Sequence, residues 1–176
     1  MTTHLDEAHE RERFSRIFSQ LAAVSTYARR RGARDPDGIA AEVMAIAWQK
    51  LADVPLDDPL PWLLATARNL VLASRRATSR IVESDHEPAA EDPRLGEAAG
   101  LSAELADALA GLAPIDREAL LLIAWEGLTP AQAAQVLGVR PVAFRVRLHR
   151  ARRRCAALLD RHVSRSIVSA EVSHGS

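Results

Sequence analysis

Cysteine, lysine and aromatic residues are all scarce in this 176-residue chain: one Cys, one Lys, and 4% aromatic. With Cys155 alone, neither an internal disulfide nor a cysteine-clustered zinc site can form. No run of about 18 apolar residues exists, so no transmembrane helix and no membrane insertion are expected. The opening MTTHLDEAHERER is polar and carries no apolar core of a secretory signal. A reducing cytoplasm is therefore the expected compartment. His4, His9, His86, His149, His162 and His174 form no HExxH-type pair, and there is no glycine-rich phosphate loop or activated nucleophile. No enzyme, no metal and no cofactor is expected. Cys155 falls on an apolar helical stripe and reads as a small hydrophobe.

Net charge is also absent, with 23 basic against 23 acidic residues. The distribution is uneven. Residues 1–80 carry +2, 81–100 carry −5, 101–139 carry −4, and 140–165 carry +8 from nine Arg and one Asp. All the basic residues except Lys50 are arginine, a bias that a GC-rich genome explains, so only the placement of the arginines is informative. A +8 block in 26 residues is the footprint of a phosphate-binding surface.

Periodicity is helical throughout, which predicts an all-α chain. Phe14, Ile17, Phe18, Leu21, Val24 and Ala28 recur at three- and four-residue steps, predicting one amphipathic helix that ends before Gly32. A second helix is expected over about 37–52, a loop over the Pro- and Asp-rich 53–61, and a third helix from about Trp62 to Arg80. Trp48 and Trp62 read as core in preference to stacking platforms. Residues 83–100 hold six acids and one large apolar residue, too little to pack, and read as a flexible acidic linker. Extended, it spans at most roughly 60–65 Å. Two small helical domains follow, 1–82 and 101–165, with a disordered tail over 166–176.

Residues 128–155, LTPAQAAQVLGVRPVAFRVRLHRARRRC, read as a helix-turn-helix. Thr129 is a good N-cap, Pro130 suits the first helical position, and Gln132 completes a capping box. Ala133 and Ala134 permit close helix crossing. Gly138 supplies the tight turn with Val139 buried in it, and Pro141 restarts the chain. On the second helix Phe144, Leu148, Ala151, Cys155 and Leu158 fall within about 80° and face inward. Arg140, Val142, Ala143, Arg145, Val146 and His149 are the expected base-edge group, and Arg147, Arg150 and Arg153 the expected phosphate group. Thr129, Pro130 and Ala131 would meet the DNA backbone.

These motifs resemble the small extracytoplasmic-function group of bacterial RNA polymerase sigma factors. In the first half, Phe14, Tyr27, Ala28 and Arg29 resemble the family's opening helix. DPDGIAAEVMAIAW (35–48) resembles the helix that binds the clamp of the largest polymerase subunit. The resemblance implies polymerase contacts by Ile39, Glu42, Val43, Ala47 and Trp48, with Gly38 and Ala41 departing from the pattern. PWLLATARNLVLASRR (61–76) resembles the helix that holds flipped-out bases of the −10 element. It implies −10 contacts by Asp57, Asp58, Trp62, Arg68, Asn69, Arg75 and Arg76, with Ala73 where Asp is common. In the second half, LAPIDREALLLIAWEGLTPAQAAQVLGV and RLHRARRR resemble the −35-binding domain. The implied partners are core RNA polymerase, promoter DNA and an anti-sigma factor. Two alternatives use the same residues: a stand-alone helix-turn-helix repressor or activator, and a sigma-like interaction module without initiation activity.

Overall fold

The computed structural model describes the backbone of residues 2–82 and 101–173 and the side chains of 10–78 and 101–161. The segment 83–100, expected as an acidic linker, lies outside the described residues. All regular structure within them is helical, as the periodicity predicts. The elements are α1 (Thr2–Phe18), α2 (Leu21–Arg30), α3 (Pro36–Gln49), a 3-10 turn (Leu51–Asp53), α4 (Leu60–Val82), α5 (Ala103–Ala110), α6 (Pro114–Ala124), α7 (Pro130–Leu137) and α8 (Pro141–Ser173). Two compact units result, dividing between α4 and α5.

In the first unit α2, α3 and α4 pack against one another, and α1 packs on α3. Its core is Ile17, Val24, Tyr27, Ala28, Val43, Ala47, Leu63, Leu64 and Ala67, each at most 1% exposed. The expected single helix over Phe14–Ala28 is two helices. The break falls at Ser19, whose hydroxyl takes the Arg16 carbonyl at 2.7 Å and so competes with the helical backbone. Ile17 and Val24 nevertheless reach the same core, because the break preserves the buried side of both helices. At the end of α2, Gly32 takes φ 69° while Ala33 N–H donates to the Ala28 carbonyl at 3.0 Å. That is a Schellman end, and the left-handed backbone favours glycine. Asp35 then caps α3 by accepting from Gly38 N–H at 2.8 Å. A Cβ at Gly38 would fall 2.1 Å from Asp35 Oδ2, so a larger residue would displace the cap.

In the second unit α5 and α6 pack on α8. Ser102 caps α5 through Leu105 N–H. Arg117 binds the other end, donating from Nε to the Leu109 carbonyl and from Nη2 to Ala110, both at 2.7 Å. A cation on terminal carbonyls both satisfies them and opposes the negative end of the helix dipole. Phe144 and Ala151 are fully buried, with Leu148 at 5% and Cys155 at 9%. Burying Phe144 contributes about 3 kcal/mol. The tail expectation fails over 166–173, where α8 continues to Ser173. No Pro or Gly interrupts the chain between Pro141 and Gly175, so helix propagation, one bond per added residue, meets no breaker.

Candidate nucleic-acid interface

The helix-turn-helix is built from local chemistry. Thr129 N–H donates to Gln132 Oε1 at 2.7 Å, and Gln132 N–H donates to Thr129 Oγ1 at 3.3 Å, closing the capping box. Ala133 and Ala134 are buried, leaving room for the helix crossing. Gly138 adopts φ 65°, and Val139 N–H reaches the Ala134 carbonyl at 3.0 Å in a second Schellman end. Val139 is half-buried; the turn itself satisfies its amide and leaves one side of the residue open. Phe144 N–H bonds the Arg140 carbonyl at 2.9 Å, which makes Arg140 the residue that caps α8. Its positive charge there opposes the dipole of the helix it starts.

Along α8 the buried stripe fixes what is left outside. Arg140, Val142, Ala143, Arg145, Val146, His149, Arg150 and Arg153 are all exposed, and so are Thr129, Pro130 and Ala131 at the start of α7. Arg147 differs from the other arginines expected at phosphates. Its Nη1 lies 2.9 Å from Asp116 Oδ1, and Arg154 Nη1 lies 2.8 Å from Asp116 Oδ2. Asp116, on the first turn of α6, is only 5% exposed. One buried carboxylate thus holds two arginines that stand two turns apart on α8. Neither Asp116 nor Arg154 was identified from sequence. The clue available was an acid in the turn after Pro114, where an N-terminal carboxylate also favours the helix dipole.

Cys155 lines an apolar groove with Leu105, Leu120, Trp125 and Leu148. Burial raises its thiol pKa above the ordinary value, as suits a structural rather than a reactive cysteine.

The first unit sorts its candidate residues less evenly. On α3, Glu42 and Trp48 are exposed and Ile39 is half-buried, whereas Val43 and Ala47 are fully buried. Val43 and Ala47 face the core because α3 packs on both α2 and α4, so they hold the helix and offer no surface. Ile39 and Trp48, nine residues apart, fall about 180° from each other around the helix. They flank the buried stripe on opposite sides. The outward face is Ala41, Glu42, Ala45 and Gln49, all exposed. Trp48 is not the core residue expected. It is 47% exposed, edge-on to Phe14 at 4.9 Å, while Phe14 also touches the exposed Phe18 at 5.8 Å.

On α4, Trp62, Asn69 and Arg76 recur every seven residues and share one line. Asn69 and Arg76 are exposed, and Trp62 is half-buried at its base. Arg68 and Arg75 form the second line, which leans toward α2: Arg68 is half-buried and Arg75 donates to the Arg31 carbonyl. The two lines therefore differ in what they can touch. Asp57 and Asp58 are exposed in the loop before α4.

Known proteins resemble this chain in sequence and fold. Residues 102–155 match the family described as Sigma-70, region 4. Over 123 residues the chain is 37% identical to the ECF RNA polymerase sigma factor ShbA of Streptomyces griseus subsp. griseus, covering 67% of this chain and 56% of the relative. The chain belongs to the extracytoplasmic-function group of the sigma-70 family. It spans only about half the length of that curated relative. Among solved structures, this sigma-family chain is similar to CnrH, solved in complex with the cytosolic domain of CnrY, at 27% identity and a TM-score of 0.55. That match covers 82% of this chain and 84% of CnrH. The fold is also shared with the sigma factor RpoE of Bartonella quintana, solved with the anti-sigma factor NepR, at 24% identity and a TM-score of 0.60. There the coverage is 82% of this chain and 94% of the other. Among the described residues, no helix is long and apolar enough to cross a membrane, and no group of acids, His and Cys could hold a metal ion.

Proposed function

We propose that this chain is a promoter-specific initiation factor that binds core RNA polymerase and directs it to −10 and −35 elements. The observation that carries this reading is α8. A capped helix-turn-helix delivers a helix whose exposed side is cationic, in the segment that matches region 4 of the sigma-70 family. In such a motif the N-terminal part of the second helix enters the major groove. Arg140, Val142, Ala143, Arg145, Val146 and His149 read base edges, while Arg150 and Arg153 hold phosphates. Thr129, Pro130 and Ala131 set the register on the backbone, where the start of a helix favours an anion.

The first unit supplies the other half of the activity. Glu42, with Ala41, Ala45 and Gln49 around it, presents the surface for the polymerase clamp, and Trp48 extends it along one flank. Asn69 and Arg76, with Trp62 below them, face the single-stranded −10 bases, while Arg68 and Arg75 support that line from the side. Asp57 and Asp58 are suited to accept from cytosine amino groups. Residues 83–100 connect the two DNA-reading units. The polymerase performs the chemistry, and this chain contributes specificity. CnrH, the 27% identical neighbour, is held with the cytosolic domain of CnrY, and we assign this chain an anti-sigma partner by the same family logic.

A run-off assay tests this reading, using the full chain, core polymerase and genomic promoter fragments. Selective initiation that depends on the chain is the expected result. DNA binding without polymerase recruitment would replace the reading with a stand-alone repressor or activator. Polymerase binding without initiation would leave an interaction module.

A further inference from the structure

Val142 and Val146 stand out on α8. They are 68% and 46% exposed, the only large hydrophobic side chains so exposed among the described residues of the second unit. Four residues apart, they lie at about 160° and 200° from Phe144 around the helix, at the centre of the outward face. Exposed Arg145 and His149 lie beside them on the same face, and exposed Arg150 and Arg153 follow on the next turns. An exposed apolar pair on such a face is costly for a free helix. Branched residues lower helix propensity, and exposure forgoes the gain of burial. The arrangement suits a surface with anions at its edges and apolar groups at its floor.

The DNA major groove is such a surface. Phosphates line its rims, and among the base edges on its floor only thymine offers a methyl group. We infer that Val142 and Val146 are specificity-determining residues that read the C5-methyl groups of two thymines in the −35 element. This rests on the proposed function, since it requires α8 to enter the groove. The spacing limits the site further. Four helical residues rise about 6 Å, against about 3.4 Å per base-pair step, so the two thymines lie within about two steps of each other, on either strand. The neighbouring arginines favour this occupant over a protein surface. An apolar protein patch docking there would strand those cations unless it brought its own acids.

The test uses the full chain with core polymerase. Duplexes randomised across the −35 region are selected for binding. In one selected duplex each thymine is then replaced singly by deoxyuridine, which removes only the methyl group. Two thymines within about two steps are expected to lose about fourfold in affinity each, the value of one buried methyl. In Val142→Ala or Val146→Ala, both at exposed positions that leave the core intact, the matching uridine penalty is expected to vanish. A merely structural role for the valines would leave that penalty unchanged. Sequence-specific binding that is indifferent to every uridine, or selected sites without thymine, would overturn the inference while leaving the proposed function standing. An absence of any sequence-specific binding with polymerase would overturn both. Loss of a protein partner in the valine variants, with no uridine effect, would overturn it in favour of a protein-docking face.

Discussion

Arginine is used differently by the two units. In the first, three arginines bind the unit's own backbone or ring, while others such as Arg29 and Arg76 are exposed. Arg31 is 6% exposed and stacks over Tyr27 at 4.5 Å, Arg75 donates to the Arg31 carbonyl, and Arg13 reaches across to the Leu51 carbonyl at 3.0 Å. A guanidinium suits that work because its planar fork can stack on a ring and donate to carbonyls at once. In the second unit the arginines of α8 mostly face outward, and Asp116 draws two of them back. All basic residues but Lys50 are arginine, so the same residue serves in both places. Tertiary surroundings gave Arg31, Arg75 and Arg13 partners within the first unit and left most arginines of α8 exposed.

The largest test of that contrast is Phe144→Ala. Removing a fully buried aromatic is expected to cost the second unit about 3–5 kcal/mol. Hydrogen exchange should show protection lost across α5–α8 and retained in α2–α4. Equal loss in both units would mean that they do not stabilise themselves separately.

Next in size are the arginines proposed to face DNA, measured with polymerase present. Arg145→Ala is expected to remove about 1–3 kcal/mol of base discrimination and to relax preference at one position. Arg153→Ala should instead weaken all sequences alike and flatten the salt slope by about one unit. Identical, sequence-independent effects from both would show that the face of α8 has been assigned wrongly.

Asp116→Asn sharpens the comparison from the other side. Arg147 and Arg154 are 37% and 63% exposed, so solvent screening holds the stability loss to about 1–2 kcal/mol, below that of a wholly buried pair. With both guanidinium groups released toward solvent, the salt slope of DNA binding should steepen by up to about two units. An unchanged slope would show that the two arginines stay beyond reach of phosphate without their clamp.

The smallest expected effects come from the caps. Thr129→Ala and Asp35→Ala should each cost about 1 kcal/mol, read as a shift in the denaturation midpoint. Only Thr129→Ala should also weaken −35 binding, because in the proposed binding mode only α7 sets the register of the recognition helix.

Much of the fold was legible because its signals are local. The capping box at Thr129 and Gln132, the turn at Gly138, and the inward stripe from Phe144 to Cys155 all depend on residues within a few positions of one another. The break at Ser19 was hidden, since the apolar spacing of Phe14 to Ala28 runs across it without a change of period. The candidate site was less legible. Val43, Ala47 and Trp48 lie in one motif, yet packing buries two of them and exposes the third. A motif records which residues recur; it does not say which neighbour will cover each one.

Charge shows the same division. The sequence by itself established that zero net charge conceals a +8 segment, because that is a sum over neighbours in the chain. It also indicated most of the helices, the cap at Thr129 and the helix-turn-helix, where hydrogen bonds close over three to five residues. Only the tertiary structure decided which of those charges face outward. The carboxylate that holds Arg147 and Arg154 lies 31 and 38 residues away in the chain, and only the packing of α6 on α8 brings them together.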